Sequence, residues 1–266
     1  MNSLGELLRY WRTQKGLSQL QLAELAETSG RHISFIETGR GHPSRALLLR
    51  LAQELEIPLR SRNALLEAAG YAPQYGETGL TDPEMGQVRR VLDFMLKSTL
   101  PYPTMIIDRY WNITLANDAF LDFVRVFTRK PELFSGSATN LMRICLHPDG
   151  LRPHIVNRVD FEPYMVGRVR RSMSRIPRDP ALETLYAEIT EFEGAADPGE
   201  DSGMTSVPQF LMPLHLKKGA HEIRLFTTIA TLGAPQDITL QELFIETGFP
   251  VDDETERYFR SRGARK

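Results

Sequence analysis

Two short helical patterns lie close together in residues 18–40, and their spacing constrains the fold more than any other feature of the chain. Ser18 and Gln21 have the spacing of a capping box, and Ser29 is placed to cap a second helix. Two helices that cross at a steep angle need a small residue where they touch, and Ala23 meets that need. The pattern predicts a helix-turn-helix.

Three further helices are predicted around this pair. A second capping box, Ser3-Leu4-Gly5-Glu6, opens the first helix of the chain, and Ser44 opens the fourth. The fifth helix runs from Pro58 to Ala69 and ends at glycine. We therefore expect an all-α five-helix domain over 1–72, followed by a Gly- and Pro-rich linker over 73–87.

The segment SQLQLAELA…ISFIETGRGHPS…LLRLAQELEIP resembles the XRE-type, lambda-repressor-like helix-turn-helix family over about residues 4–70. The resemblance implies a DNA-binding domain whose second motif helix enters the major groove. It also implies that residues early in that helix meet base edges and that residues after it hold phosphates. The expected contacts with double-stranded DNA are Gln19, Ser29, Gly30, Arg31, His32, Ser34, Arg40, Ser44 and Arg45.

One position departs from the family pattern. Relatives usually place glycine at the tight turn of the motif, where this chain has Glu27. A left-handed backbone costs a non-glycine residue roughly 1 kcal/mol, so we expect a slightly strained turn.

The charge distribution agrees with a DNA-binding module joined to an acidic body. Residues 1–75 carry nine Lys and Arg against seven Asp and Glu, although the whole chain has a net charge of −2. A weakly basic module on an acidic body favours selective binding over general adhesion to DNA.

The rest of the chain predicts an α+β domain over 88–262 with a small antiparallel sheet. Two short strands are expected at 104–108 and 112–116, and alternating apolar residues predict a further meander between 210 and 249. The remaining predictions are helices at 117–127, 138–146, 153–174, 180–192 and from Asp252 onward, a flexible loop at 194–206, and a last strand within Leu240–Phe249.

Three segments of this domain resemble the ligand-binding domain of MmyB-like regulators, over about residues 88–256. They are Trp111–Asn117, Asn140–Arg152 and LFTTIATLGAPQDITLQELFIETGFPVDD. The resemblance implies a PAS-like fold, in which helices cover one face of the sheet around an apolar cavity. It also implies a long apolar ligand such as a fatty acid. Arg158 stands where relatives are expected to have an aromatic residue.

Large, pliable apolar residues on the predicted inward faces are candidates to line such a cavity. A ligand carboxylate also needs a cationic or amide partner, for which Asn117, Arg143 and His215 are candidates. The alternative is that the apolar residues form only a core, and that the domain dimerises or docks a protein without any ligand. The apolar candidates are Met105, Trp111, Phe120, Phe123, Phe127, Met142, Met165, Phe210, Met212 and Phe226.

The sequence gives little support for an enzyme. It has no Gly-x-Ser-x-Gly turn and no phosphate-binding glycine loop, and His147-Pro148-Asp149 with His154 lacks a zinc-site spacing. We therefore expect no cofactor and no metal, and we expect Cys145 to be buried in the core. The lone cysteine, the lack of a ~20-residue apolar stretch and the lack of a signal peptide predict a cytoplasmic protein. A single helix-turn-helix contacts one half-site, so we expect a homodimer.

Overall fold

The computed structural model describes residues 3–134, 139–175, 179–192 and 212–263. The chain forms two compact units, and each of them is built from two separate segments of the chain. The first comprises Met1–Glu84 together with Gly233–Gln241, and the second comprises Met85–Leu232 with Glu242–Lys266. The predicted loop 194–206 and the candidate Phe210 lie outside the described residues.

The first unit contains the five predicted helices. The serine caps form as expected: Ser3 and Ser18 complete capping boxes, and Ser29 and Ser44 accept hydrogen bonds from the first turns of their helices. The helices are α1 (Leu4–Gln14), α2 (Gln19–Leu25), α3 (Gly30–Glu37), α4 (Arg45–Glu54) and α5 (Leu59–Ala68).

The core of the first unit is built from the apolar stripes of these helices. Leu22, Ile33 and Leu51 are fully excluded from solvent, and Ala23 lies buried with them. Residues 73–84 also belong to this unit, since the Asn63 side-chain oxygen accepts hydrogen bonds from the backbone N–H groups of two of them. Residues 74–77 of the predicted linker therefore lie along α5.

The second unit combines helices with a five-stranded, wholly antiparallel sheet, as the α+β prediction requires. The strand order is β2-β1-β5-β4-β3, so the first and last parts of this unit meet where β1 pairs with β5. The strands are β1 (Thr104–Ile107), β2 (Ile113–Ala116), β3 (Leu214–Lys218), β4 (His221–Thr231) and β5 (Phe244–Pro250). The helices are α6 (Gly86–Ser98), α7 (Asp118–Phe127), α8 (Leu141–Leu146), α9 (Arg158–Arg175), α10 (Pro180–Glu191) and α12 (Asp253–Gly263). The likeness to a PAS domain stays a prediction.

The connection between β4 and β5 differs from its prediction. The last strand begins at Phe244 rather than near Leu240, and Ile238–Gln241 form one turn of helix, α11, which belongs to the first unit. The alternation of apolar residues continues through this segment, but Asp237 accepts a hydrogen bond from the N–H of Leu240 and favours a helical turn there.

Two predicted helices start later than expected. The helix predicted from residue 138 begins at Leu141 because Asn140 caps it, and the helix predicted from 153 begins at Arg158 after a short 3₁₀ turn. Across the described residues, no helix has the length and apolar character needed to cross a bilayer.

Candidate functional site

The helix-turn-helix of the first unit is closed by a strained turn at Glu27. This residue has a φ of 51°, the left-handed conformation that glycine adopts most easily. Its carboxylate accepts a 2.6 Å hydrogen bond from Arg50, which also donates to the carbonyl oxygen of Ala26. The left-handed turn is therefore present at Glu27, and the ion pair between Glu27 and Arg50 stabilises it.

The residues expected to contact DNA are of three kinds: exposed arginines, half-buried residues of α3, and serines that cap helices. Arg31, Arg40 and Arg45 are exposed, and the Arg31 guanidinium lies 5.1 Å from the ring centroid of Phe35. Arg45 donates to the side chain of Gln74. Of the other expected contacts, Gly30, His32 and Ser34 are half-buried on α3, and Ser29 and Ser44 serve as caps.

Gln19 is held by a buried carboxylate. Its side-chain N–H donates at 2.8 Å to Glu37, whose side chain is fully buried and also accepts from Arg9 and Arg12. Burial alone would raise the pKa of Glu37, but the hydrogen bonds from Arg12, Gln19 and Arg9 outweigh it and lower that pKa. The network joins α1, α2 and α3, so it fixes the position of Gln19 at the start of α2.

An exposed apolar residue lies beside this motif at a position that the sequence pattern does not single out. Leu20 is 62% exposed, and its backbone and side chain come within 4 Å of the point where a Cβ on Gly30 would lie. An exposed leucine at the start of a motif helix is a signal that sequence reasoning passes over, because apolar residues are normally assigned to the core.

The second unit contains a partly open, mainly apolar cavity of about 100 Å³. Helices α7, α8 and α9 and strands β1, β3, β4 and β5 supply its walls. Six of the candidate ligand residues line it: Met105, Phe120, Phe123, Met165, Met212 and Phe226.

The other apolar candidates lie elsewhere. Phe127 and Met142 are completely buried in the core without lining the cavity. Trp111 lines a neighbouring cavity of about 340 Å³, which shares Tyr164 and Arg168 with the first. Arg158, where an aromatic wall residue was expected, lies half-exposed within 3.5 Å of Glu162 and outside the cavity lining.

None of the three polar candidates lines the apolar cavity. Asn117 caps α7 and uses its amide to bind backbone groups at Leu96, Tyr102 and Thr104. Arg143 forms a two-pronged pair with Glu188, at 2.7 Å for each hydrogen bond. His215 lies 2.9 Å from Glu222, and hydrogen bonds from Lys217 and His215 lower the pKa of that carboxyl to about 2.

The charged pair at the cavity is instead Arg168 and Glu246, which sequence reasoning missed. Two hydrogen bonds of 2.8 and 3.2 Å join them, and both side chains are buried. The guanidinium also lies 4.4 Å from the ring centroid of Trp111. Cys145 lines the same cavity, and burial together with the Glu246 charge raises the pKa of its thiol to about 12.

Two known domain families match this chain, one in each unit. The MmyB-like transcription regulator ligand binding domain matches residues 88–261, and a helix-turn-helix family matches residues 8–61. The first match covers well over half of the chain.

Among individual proteins, the chain is similar to the HTH-type transcriptional repressor RghR of Bacillus subtilis (strain 168). The two are 40% identical over 78 residues, which span 29% of this chain and 56% of the repressor. A solved structure of an RNA-binding light-oxygen-voltage receptor aligns with 99% of this chain, and the alignment covers 62% of the receptor chain at 11% identity. The TM-score of 0.27 is too low to establish a common fold. The family matches decide the matter: the chain belongs to the MmyB-like transcription regulators, and it carries an XRE-type DNA-binding helix-turn-helix before its ligand-binding domain.

Proposed function

We propose that the protein binds a specific operator as a homodimer, and that an apolar molecule of the fatty-acid class controls this binding from the second unit. The observation that carries the proposal is the mainly apolar cavity of about 100 Å³ that Met105, Phe123 and Met165 line. Small-molecule sites are typically concave and mostly apolar, with a few polar groups that orient the ligand.

The exposed arginines of the first unit support operator binding. Arg31 lies in the first turn of α3, where side chains of a recognition helix meet base edges, and it reads base identity together with Gly30, His32 and Ser34. Arg45 begins α4 and, like Gln19 and Arg40, holds a phosphate.

The homodimer is proposed because one helix-turn-helix contacts one half-site, which is usually too weak alone. A two-fold dimer requires a near-palindromic operator whose half-sites are a whole number of helical turns apart. Analytical ultracentrifugation at micromolar concentration, with and without operator DNA, tests this assembly, and a monomer in both states contradicts it.

The size of the cavity limits what it holds in the described conformation. An engineered cavity of about 150 Å³ accommodates benzene, so about 100 Å³ takes a short saturated segment. Each methylene that becomes buried contributes about 0.8 kcal/mol. Affinity should therefore rise with chain length until the available space is full, and then fall.

The test combines two measurements on the full chain. Protein purified from cells is extracted and analysed for lipid, and thermal unfolding is followed with saturated fatty acids of increasing length. We expect bound ligand to raise the melting temperature. Met212→Gln, which introduces a polar group into the cavity lining, should abolish the shift, whereas Met95→Gln on α6, outside the lining, should retain it. If no chain length shifts the melting temperature and no lipid is extracted, a domain that only dimerises or docks a protein replaces the proposal.

The segment that connects β4 to β5 supports the proposal that the ligand controls DNA binding. Phe226 and Thr227 on β4 and Gly248 on β5 line the cavity, while the connection between these strands, 233–241, belongs to the unit that contains the helix-turn-helix. A ligand changes DNA affinity only if it binds one conformation of the protein better than another. Movement of the two strands is transmitted to the first unit through this covalent connection.

A further inference from the structure

A second cavity, of about 340 Å³, lies beside the apolar one in the second unit. Ile107, Ile229 and Phe244 give it an apolar wall, and Arg109 and Trp111 give it a polar one. Tyr164 and Arg168 line both cavities, so the two cavities adjoin at these side chains.

Two residues that line this cavity carry a buried hydrogen-bond donor with no acceptor among the described residues. The Nε of Arg109 and the Nε1 of Trp111 are buried, and neither has a hydrogen-bond partner among the residues that the structure describes. The Arg109 side chain is only 7% exposed. Buried N–H groups are nearly always paired, since an unpaired one loses its bond to water without a replacement. Two such groups in the lining of one cavity indicate that an acceptor belongs there.

The positive charges buried at this cavity are already neutralised. Arg109 pairs with Asp179 and, at 3.0 Å, with Glu242. Arg168 is engaged by both oxygens of Glu246. A ligand carboxylate would therefore bring a further negative charge next to buried carboxylates, in a low-dielectric environment where like charges repel strongly. Arg171 also lines the cavity but is exposed, so water and salt screen its charge.

Trp111 is also held in a strained conformation. Its φ is 68°, which is left-handed for a residue with a large side chain, and its backbone N–H donates to the carbonyl oxygen of Asp108. The Asp108 carboxylate accepts from the N–H groups of Tyr110 and Asn112 and so fixes the turn. Strain of this kind persists where the surrounding structure enforces it, and it concentrates at ligand sites.

We propose that the 340 Å³ cavity is the head-group subsite of the effector, and that it binds an uncharged carbonyl compound such as an ester, amide or ketone. The carbonyl oxygen accepts from the Trp111 indole and the Arg109 guanidinium, and the apolar part of the same molecule occupies the adjoining cavity. This assignment rests on the proposed apolar effector and narrows it to an uncharged derivative of a fatty acid, so the free acid binds more weakly than its ester.

The experiment compares three probes of similar chain length: methyl octanoate, sodium octanoate and octane. The chain contains two tryptophans, so in the Trp11→Phe protein the fluorescence reports on Trp111 alone, and calorimetry gives the affinities. We expect methyl octanoate to bind about tenfold more tightly than octanoate, because only the ester supplies an acceptor without a charge. Octane should bind more weakly than the ester by a similar factor, because it supplies no acceptor.

Trp111→Phe removes the indole N–H while keeping an aromatic ring, and Trp11→Phe is the matched control in the other unit. The Trp111 variant should lose about tenfold in affinity for methyl octanoate and nothing for octane. If that variant fails to fold, the order of the three probes on the Trp11→Phe protein decides. Equal affinity for all three probes, or tighter binding of octanoate, overturns the head-group subsite but not the proposal of an apolar effector. Binding of none of them overturns both.

Discussion

The side-chain oxygen of Gln241 accepts a 2.7 Å hydrogen bond from the backbone N–H of Leu59, the first residue of α5. The cap of this helix is Pro58, which makes no side-chain hydrogen bond. Gln241 thus supplies, from 182 positions along the chain, the acceptor that a serine or aspartate cap normally provides. A second bond, from the Thr78 N–H to the Asp237 carboxylate, and the buried side chain of Ile238 fix the same segment in the first unit.

Loss of this cap should destabilise the first unit. We expect Gln241→Ala to lower its free energy of unfolding by about 1 kcal/mol, the usual cost of removing a helix cap. Urea unfolding followed by Trp11 fluorescence in a Trp111→Phe background measures it. Gln236→Ala is the matched control, because Gln236 is exposed and its side chain donates to the carbonyl oxygen of Ala234 in the same turn. Equal stability of the two variants would contradict the capping role.

The buried Glu37 network should make the stability of the first unit depend on pH. The pKa of Glu37 is lower in the folded protein than its ordinary value of 4.5. The contribution is therefore fully present above pH 4.5 and is lost as pH falls through the lower, folded pKa. Glu37→Gln should cost about 1.5–3 kcal/mol at pH 7 and progressively less below pH 4.5.

The matched control for this prediction is Glu24→Gln, an exposed carboxylate on the neighbouring helix. Unfolding curves for the wild type and both variants at pH 7, 5 and 3 give the comparison. A difference between wild type and Glu37→Gln that stays constant across this range would show that the charge of Glu37 is not the stabilising feature.

Arg31 and Arg45 should differ in what they do on DNA. Arg31→Ala should cost about 1–3 kcal/mol on the operator and relax the preference at one base position. Arg45→Ala should weaken binding to every sequence and reduce the salt slope by about one. Fluorescence anisotropy over operator variants and salt concentrations separates the two, with exposed Arg125→Ala on α7 as control. Uniform losses for Arg31→Ala would rule out base reading.

Cys145 should be unreactive in the folded protein. The thiolate is the nucleophilic form, and a pKa of about 12 keeps the thiol protonated at pH 8. We expect iodoacetamide to label Cys145 slowly in buffer and rapidly in denaturing urea, as followed by intact-mass spectrometry. Rapid labelling of the folded protein would mean that the cavity opens to solvent on the time scale of the reaction.

The sequence by itself determined the elements whose partners are close along the chain. Ser3 with Glu6 and Ser18 with Gln21 interact across three residues, so each cap forms in whichever fold contains its helix. The alternation along β4 has the same local origin, since successive side chains of a strand point to opposite faces. These local rules are why the five helices and the antiparallel sheet are predictable.

Only the tertiary structure decided the contacts that define the candidate site. Arg168 and Glu246 are 78 positions apart, and their pairing depends on packing α9 against β5. The chemistry of Asn117 and Arg143 predicts contacts with a ligand, but in the fold backbone groups bind Asn117 and Glu188 binds Arg143. A polar side chain binds whichever group the fold brings within about 3 Å, and neither periodicity nor composition encodes that distance.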